Sequence, residues 1–200
     1  MASSTNDTSS PPTNMGRSAT STASFFQHDP TYSVRVMKDD FKFNAAHFVA
    51  YKGFRERLHG HNYLVGIELW SNLGRPGEDG YVLDFGVIKK LLRSQCKALH
   101  EHFLCPCNSD VLDISYSEDG QNLQIRCEDK AFFSFPRGDC AELPLAHSTV
   151  EELAKMFSDN LLEQVEPVLV EKHIQRIEVT VTEAPGQSAC YSCSAAAASR

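Results

Sequence analysis

Apolar and polar side chains alternate through residues 32–43, and Phe41, Phe43, Ala45 and His47 continue on one face, so the pattern predicts a strand ending at His47. Residues 48–58 read as a charged loop. Tyr63, Val65, Ile67 and Leu69 mark a second strand, and residues 72–80, with Gly74, Pro76, Gly77 and Gly80, a turn. From Asp84 the period lengthens: Phe85, Ile88, Leu92, Cys96, Leu99 and Phe103 recur every three or four residues, one helical stripe capped by Asp84. A second helix is predicted from Ser148, in capping-box spacing with Glu151, with Val150, Leu153, Phe157, Leu161 and Val165 as its apolar face up to Pro167. Ile177, Val179 and Val181 then alternate with Glu178, Thr180 and Thr182 in a last strand that leads into Glu183. Residues 105–147 form an insertion in which 122–127 and 131–135 pair as a hairpin across Glu128-Asp129-Lys130. The fold class expected is an antiparallel α+β domain.

Composition narrows the surroundings of that domain. A chain of 200 residues with 42% hydrophobic content supports one good core. Residues 1–29 are rich in Ser and Thr and are expected to be a disordered leader; residues 30–187 form the domain, and 188–200 a tail. The net charge of -7 argues against a nucleic-acid surface, and no apolar run is long enough to span a bilayer. Seven cysteines without a framework spacing suit a reducing compartment, so the cytoplasm is the expected location. There is no Gly-rich phosphate loop, no Gly-x-Ser-x-Gly elbow and no basic stripe with interleaved aromatics.

The most informative residues are histidines. His59 and His61 stand two apart at the head of the second strand and therefore share a face, while His47 closes the strand before it. Three neutral imidazoles converging from neighbouring strands suggest a zinc site with its fourth position open, as in catalytic rather than structural sites.

Phe43-Asn44-Ala45-Ala46-His47, Leu58-His59-Gly60-His61-Asn62-Tyr63, Asp84-Phe85 opening a helix, Thr149 to Glu151, and Glu183 after a terminal strand together resemble the 6-pyruvoyl-tetrahydropterin synthase family over most of residues 32–187. The resemblance implies zinc held by His47, His59 and His61. It also implies the tunnelling fold (T-fold), with an antiparallel sheet, two helices on one face and oligomeric closure into a barrel, commonly a homo-hexamer of two trimers with active sites between subunits. The implied substrate is 7,8-dihydroneopterin triphosphate, its pterin ring anchored by Glu183 and contacted at Thr149. A carboxylate suits the anchor because it accepts paired hydrogen bonds from the ring's amino and N–H groups.

Two departures from the family pattern carry consequences. The cysteine base that the family places before its His-Gly-His motif is missing, and Glu56 stands in the loop Lys52-Gly53-Phe54-Arg55-Glu56-Arg57. This is similar to a glutamate-for-cysteine branch that cleaves the side chain to 6-hydroxymethyl-7,8-dihydropterin, feeding folate synthesis. The alternatives are triphosphate elimination to 6-pyruvoyl-tetrahydropterin, for tetrahydrobiopterin, and a non-catalytic pterin-binding relative. Lys52, Arg55 and Arg57 are candidates for a triphosphate clamp. The family's Asp-His dyad, in turn, falls on Leu99-His100-Glu101-His102-Phe103-Leu104. Unshifted, the dyad is His100 and Glu101 with the two types exchanged; a one-residue slip makes it Glu101 and His102. The leucine spacing favours His100 and Glu101.

Overall fold

The computed structural model describes residues 31–194, so the expected leader and the end of the expected tail lie outside the described residues. The long strand β1 (Tyr32–His47) is followed by a small hairpin, β2 (Ala50–Tyr51) and β3 (Phe54–Arg55), and then by β4 (His59–Ser71). β1 and β4 pair antiparallel along their length, with a register shift between Met37 and Lys42. Such a bulge adds twist to a long strand while keeping both halves in one ladder. β10 (Ile174–Ala184) pairs antiparallel with the other edge of β4, and β11 (Gln187–Ser194) with β10. On the far side, β5 (His102–Pro106) lies parallel to β1, and β9 (Cys140–Leu143) parallel to β5. The six-stranded sheet, in the order β11-β10-β4-β1-β5-β9, is therefore mixed where a wholly antiparallel one was expected.

Two helices cover the sheet. α1 (Phe85–Leu99) starts where the Asp84 carboxylate accepts the Gly86 N–H at 2.8 Å and buries Ile88, Leu92, Cys96 and Leu99. It stops at His100, and Glu101 turns the chain with a φ of 61°. Phe103, the last member of the expected stripe, thus belongs to β5; without a glycine at the turn, four-residue spacing from Leu99 imitated another helical turn. α2 (Val150–Glu171) is capped by Thr149, not Ser148, and Glu152, not Glu151, completes the cap. The Glu152 carboxylate accepts the N–H groups of Ala146 and His147 at 2.9 and 3.1 Å. The helix also runs past Pro167 to Glu171, because proline removes one backbone donor there while Leu169 in the last turn stays buried.

The main core lies between the helices and one face of β1, β4 and β10. Phe43 is sandwiched between Tyr63, ring centroids 4.7 Å apart, and Phe157 of α2 at 5.9 Å. Phe157 is fully buried, and its truncation to alanine is expected to cost about 3–5 kcal/mol.

The insertion has its own sheet, β6 (Leu112–Tyr116), β7 (Asn122–Cys127) and β8 (Phe132–Pro136), with β7 and β8 forming a hairpin. A 3-10 turn (Arg137–Asp139) then leads into β9. Its core includes Phe48 and Ala50 from the segment after His47, so the insertion packs directly beneath the site loop. At the other end, β11 occupies residues assigned to the tail: Pro185-Gly186 makes a turn, with Gly186 at a φ of 78°, and returns the chain along β10. Among the described residues no helix is long and apolar enough to cross a membrane.

Candidate active site

The β1–β4 register brings the histidines together. His47 lies directly across from His59, and Ala45 from His61, so the two β4 histidines flank His47 on one face. Ring centroids are 4.6 Å apart for His47 and His59, 5.1 Å for His47 and His61, and 4.9 Å for His59 and His61. One ligand atom from each lies within 4.8 Å of the others.

Hydrogen bonds fix the chemistry of two of these rings. His47 Nδ1 meets the Ser148 carbonyl oxygen at 2.8 Å, and His59 Nδ1 the Arg57 carbonyl oxygen at 2.8 Å. A carbonyl only accepts, so each Nδ1 carries the proton and, in the neutral ring, each Nε2 keeps its lone pair. His47 is 2% exposed, and its Nε2 is buried with no partner among the protein groups. Burial pushes its pKa down, which favours the neutral form. A buried lone pair without a donor, beside two more imidazoles, fits a divalent metal, and the Nδ1 contacts are the outer-shell bonds that orient metal-bound histidines.

The remaining lining has the residues for substrate chemistry. A cavity of about 340 Å³ is bounded by the histidines together with Val49, Glu56, Thr149, Val150, Glu151, Glu183 and Gln187. Glu56 is held beside it by two bonds: its Oε2 accepts the Val49 N–H at 3.0 Å, and its own N–H donates to the Val49 carbonyl at 2.9 Å. Glu183 lies at the bulge between β10 and β11, with Oε2 3.8 Å from His61 Nε2. Thr149 brings the N-terminus of α2 to the rim, where backbone N–H groups and the helix dipole favour anionic groups. Gln187, the first residue of β11, is a lining residue that the sequence reading passed over; Pro185-Gly186 was the turn signal that could have revealed a returning strand.

The other predicted residues lie elsewhere. Glu101 and His102 line a second, more open cavity of about 510 Å³ with Asn44, Ala46 and Asn62, and His61 borders both cavities. His100 Nδ1 accepts the Asn44 N–H at 3.2 Å, the Glu101 N–H donates to the Asn44 carbonyl at 2.7 Å, and His100 Nε2 is 3.6 Å from Glu101 Oε1. The protomer therefore does not bring His100 and Glu101 into one cavity with Glu56. Arg55, a clamp candidate by sequence, is already engaged with Asp129, while Lys52 and Arg57 are exposed.

The family profile described as 6-pyruvoyl tetrahydropterin synthase matches residues 36–193. A protein of Methanocaldococcus jannaschii provisionally named 6-carboxy-5,6,7,8-tetrahydropterin synthase is 31% identical over 150 residues, which cover 75% of this chain and 88% of that one. The 6-pyruvoyl tetrahydropterin synthase of Plasmodium falciparum superposes with a TM-score of 0.78 at 39% identity, over 83% of this chain and 99% of that one. The Plasmodium vivax enzyme does so with a TM-score of 0.78 at 41% identity, over 84% and 100%. Structures of the P. vivax protein include variants in which a glutamate named as its catalytic residue is replaced by cysteine or alanine. With its histidine cluster built on the same fold, the chain belongs to the 6-pyruvoyl tetrahydropterin synthase family and is, like that family, a lyase.

Proposed function

We propose that this lyase is zinc-dependent, acts on 7,8-dihydroneopterin triphosphate and cleaves the side chain to 6-hydroxymethyl-7,8-dihydropterin. The observation that carries the proposal is Glu56 in one cavity with the three histidines and Glu183, at the place where the family's cysteine base is expected. The P. vivax relative, with its catalytic glutamate, supports the same assignment. When bound at the histidines, zinc would polarise the side-chain hydroxyls and lower their pKa.

The protein's own groups account for the rest. Glu183 accepts from the pterin's amino and N–H groups and sets the ring's orientation. Thr149, at the positive end of α2 and in the same lining as Glu183, contacts the ring. Glu56, fixed by Val49, takes the proton of the hydroxyl on the second side-chain carbon. The bond between the first and second carbons then breaks: the deprotonated oxygen forms a C=O, the second and third carbons leave as glycolaldehyde triphosphate, the bond's electron pair passes into the ring's C=N bond, and the first carbon is reprotonated. Taking instead the C–H proton at the first carbon would begin triphosphate elimination to 6-pyruvoyl-tetrahydropterin, the second reading. The 6-carboxy product named for the archaeal relative is disfavoured, since the family resemblance implies a cysteine base for that chemistry as well and no cysteine lines this cavity among the described residues. His100 and Glu101 would serve the site of a neighbouring subunit in a homo-hexamer, as expected if the active sites lie between subunits.

Incubation of the zinc-loaded protein with 7,8-dihydroneopterin triphosphate, read by mass spectrometry, tests the proposal. Hydroxymethyl-dihydropterin as the main product, lost in Glu56→Ala, is the expected result. Pyruvoyl-tetrahydropterin as the main product establishes the second reading, and no turnover by a metal-replete oligomer leaves a pterin-binding relative.

A further inference from the structure

The loop that presents Glu56 is held from outside by the insertion. Arg55, one residue earlier, reaches the β7–β8 turn, where its Nε and Nη2 donate to Asp129 Oδ2 at 2.9 and 2.7 Å. Its third nitrogen, Nη1, turns back and donates to the Glu56 carbonyl at 2.8 Å. The guanidinium also lies over the rings of Phe48 and Phe133, 5.8 and 5.5 Å from their centroids. Phe48 follows the ligand candidate His47, and Phe133 belongs to β8. A rigid fork with every arm occupied, lying on two aromatic faces, defines a position far better than a flexible ammonium would.

Asp129 is equally committed. Its Oδ1 accepts the Ala131 N–H at 3.0 Å and shapes its own turn, leaving Oδ2 for Arg55. Its carboxyl is held below the usual range, chiefly by the Arg55 hydrogen bonds. Beside it, Glu128 Oε2 accepts the N–H of Gly53 at 2.8 Å, so the hairpin grips the tip of the β2–β3 loop as well as its end. Gly53 has a φ of 81°, a conformation that lets the tip present its N–H to Glu128.

We propose that Asp129 is a positioning residue for the reaction, acting through Arg55 to fix the Glu56 backbone and so the place of the Glu56 carboxylate. This rests on Glu56 being the base. The insertion then has a catalytic purpose: it supplies the rigid backing that the site loop, with strands of only two residues, lacks. The pair is partly exposed, so its weight in global stability is small. Its weight in rate is larger, because a displacement of about 1 Å in a reacting group can cost about a hundredfold.

Asp129→Asn is the discriminating substitution: the amide carbonyl retains the turn bond to Ala131, while its NH2 meets the guanidinium as donor against donor. With 7,8-dihydroneopterin triphosphate, kcat is expected to fall about tenfold with KM within about twofold, since the affected group acts in the transition state. In the Glu56→Ala background the same change should cost nothing further. Amide exchange in residues 51–57 should quicken while β10 remains protected. Wild-type kcat in Asp129→Asn, or an equal further loss on top of Glu56→Ala, overturns the proposal. Glu56→Ala with undiminished turnover removes the base and the proposal together, whereas an inactive Glu56→Ala beside a fully active Asp129→Asn removes only the positioning role.

Discussion

The two groups of candidate residues are built in opposite ways. Around the histidine cavity, Ser148, Arg57 and Val49 each donate or accept a backbone hydrogen bond that fixes His47, His59 or Glu56, and His47 is all but inaccessible. At the end of α1, by contrast, the His100 side chain is 44% exposed and that of Glu101 80%, and a 3.6 Å approach is their mutual contact. One group is preorganised within the protomer, and the other is displayed at its surface. A surface pair becomes useful when another surface covers it, which is the arrangement an active site shared between subunits requires.

The largest effect expected from breaking the first group is at Glu56. Glu56→Ala should lower kcat by about 10²–10⁴-fold, the range for loss of a general base. Glu56→Gln should do nearly the same, because the amide keeps the bond to Val49 without taking up a proton. Retention of metal and of the native melting temperature in both variants would show the loss to be chemical. Next comes the metal itself. His59→Ala should release the metal, zinc in the proposed function, to a chelator at least as readily as the ~10–100-fold weakening that follows loss of an outer-shell partner implies. Metal content measured by plasma emission spectrometry after dialysis checks this without reference to activity.

The second group is better tested by mixing than by deletion alone. Glu101→Gln should reduce turnover about a hundredfold if it assists proton transfer. When Glu56→Ala and Glu101→Gln chains are unfolded together and reassembled, sites pairing an intact Glu56 with an intact Glu101 from different subunits should form, and activity should reappear. A mixture that stays as inactive as its components would confine each site to one protomer and leave the exposed pair without a role in catalysis across subunits.

The sequence made the first group legible and the second much less so. Strand alternation placed His47, His59 and His61 on shared faces, and antiparallel pairing did the rest, since side-chain direction in a strand follows directly from position. Glu183 was singled out by the family resemblance, since alternation alone marked it only as a strand end; it lies within β10, one residue before its end. The neighbourhood of residue 100 offered no comparable rule. Glu101 takes a left-handed conformation without being glycine or asparagine, so the end of α1 was invisible and Phe103 was absorbed into its stripe. The bond of Arg55 to Asp129 could not be read from the sequence because charge in a loop is ambiguous: the partner is 74 residues away, and only the folded insertion brings them together. β11 was missed because its alternating Ser, Ala and Cys carry little hydrophobic signal.

The smallest effect probes the seam between the cavity and the core. Tyr63 is fully buried with its ring stacked on Phe43, its centroid 6.0 Å from that of His47 and 5.6 Å from that of His61, and its hydroxyl has no hydrogen-bond partner among the protein groups. Burial, reinforced by Glu183 and Glu56, pushes its pKa up, so the phenol remains protonated at any working pH. An unsatisfied buried hydroxyl costs about 1–3 kcal/mol, so Tyr63→Phe, which keeps the stacked ring, should leave stability unchanged or raise it by about 1 kcal/mol. For a chain of this length that is a rise of about 2–4 °C in Tm. The melt is to be run on metal-free and zinc-loaded protein in parallel. An equal small gain in both would assign Tyr63 to the core, as a ring whose hydroxyl is carried at a cost. A gain in the metal-free protein that becomes a loss in the loaded one would mean that the hydroxyl finds its partner only when the cavity is filled, and the preorganised group would then extend one layer below the histidines.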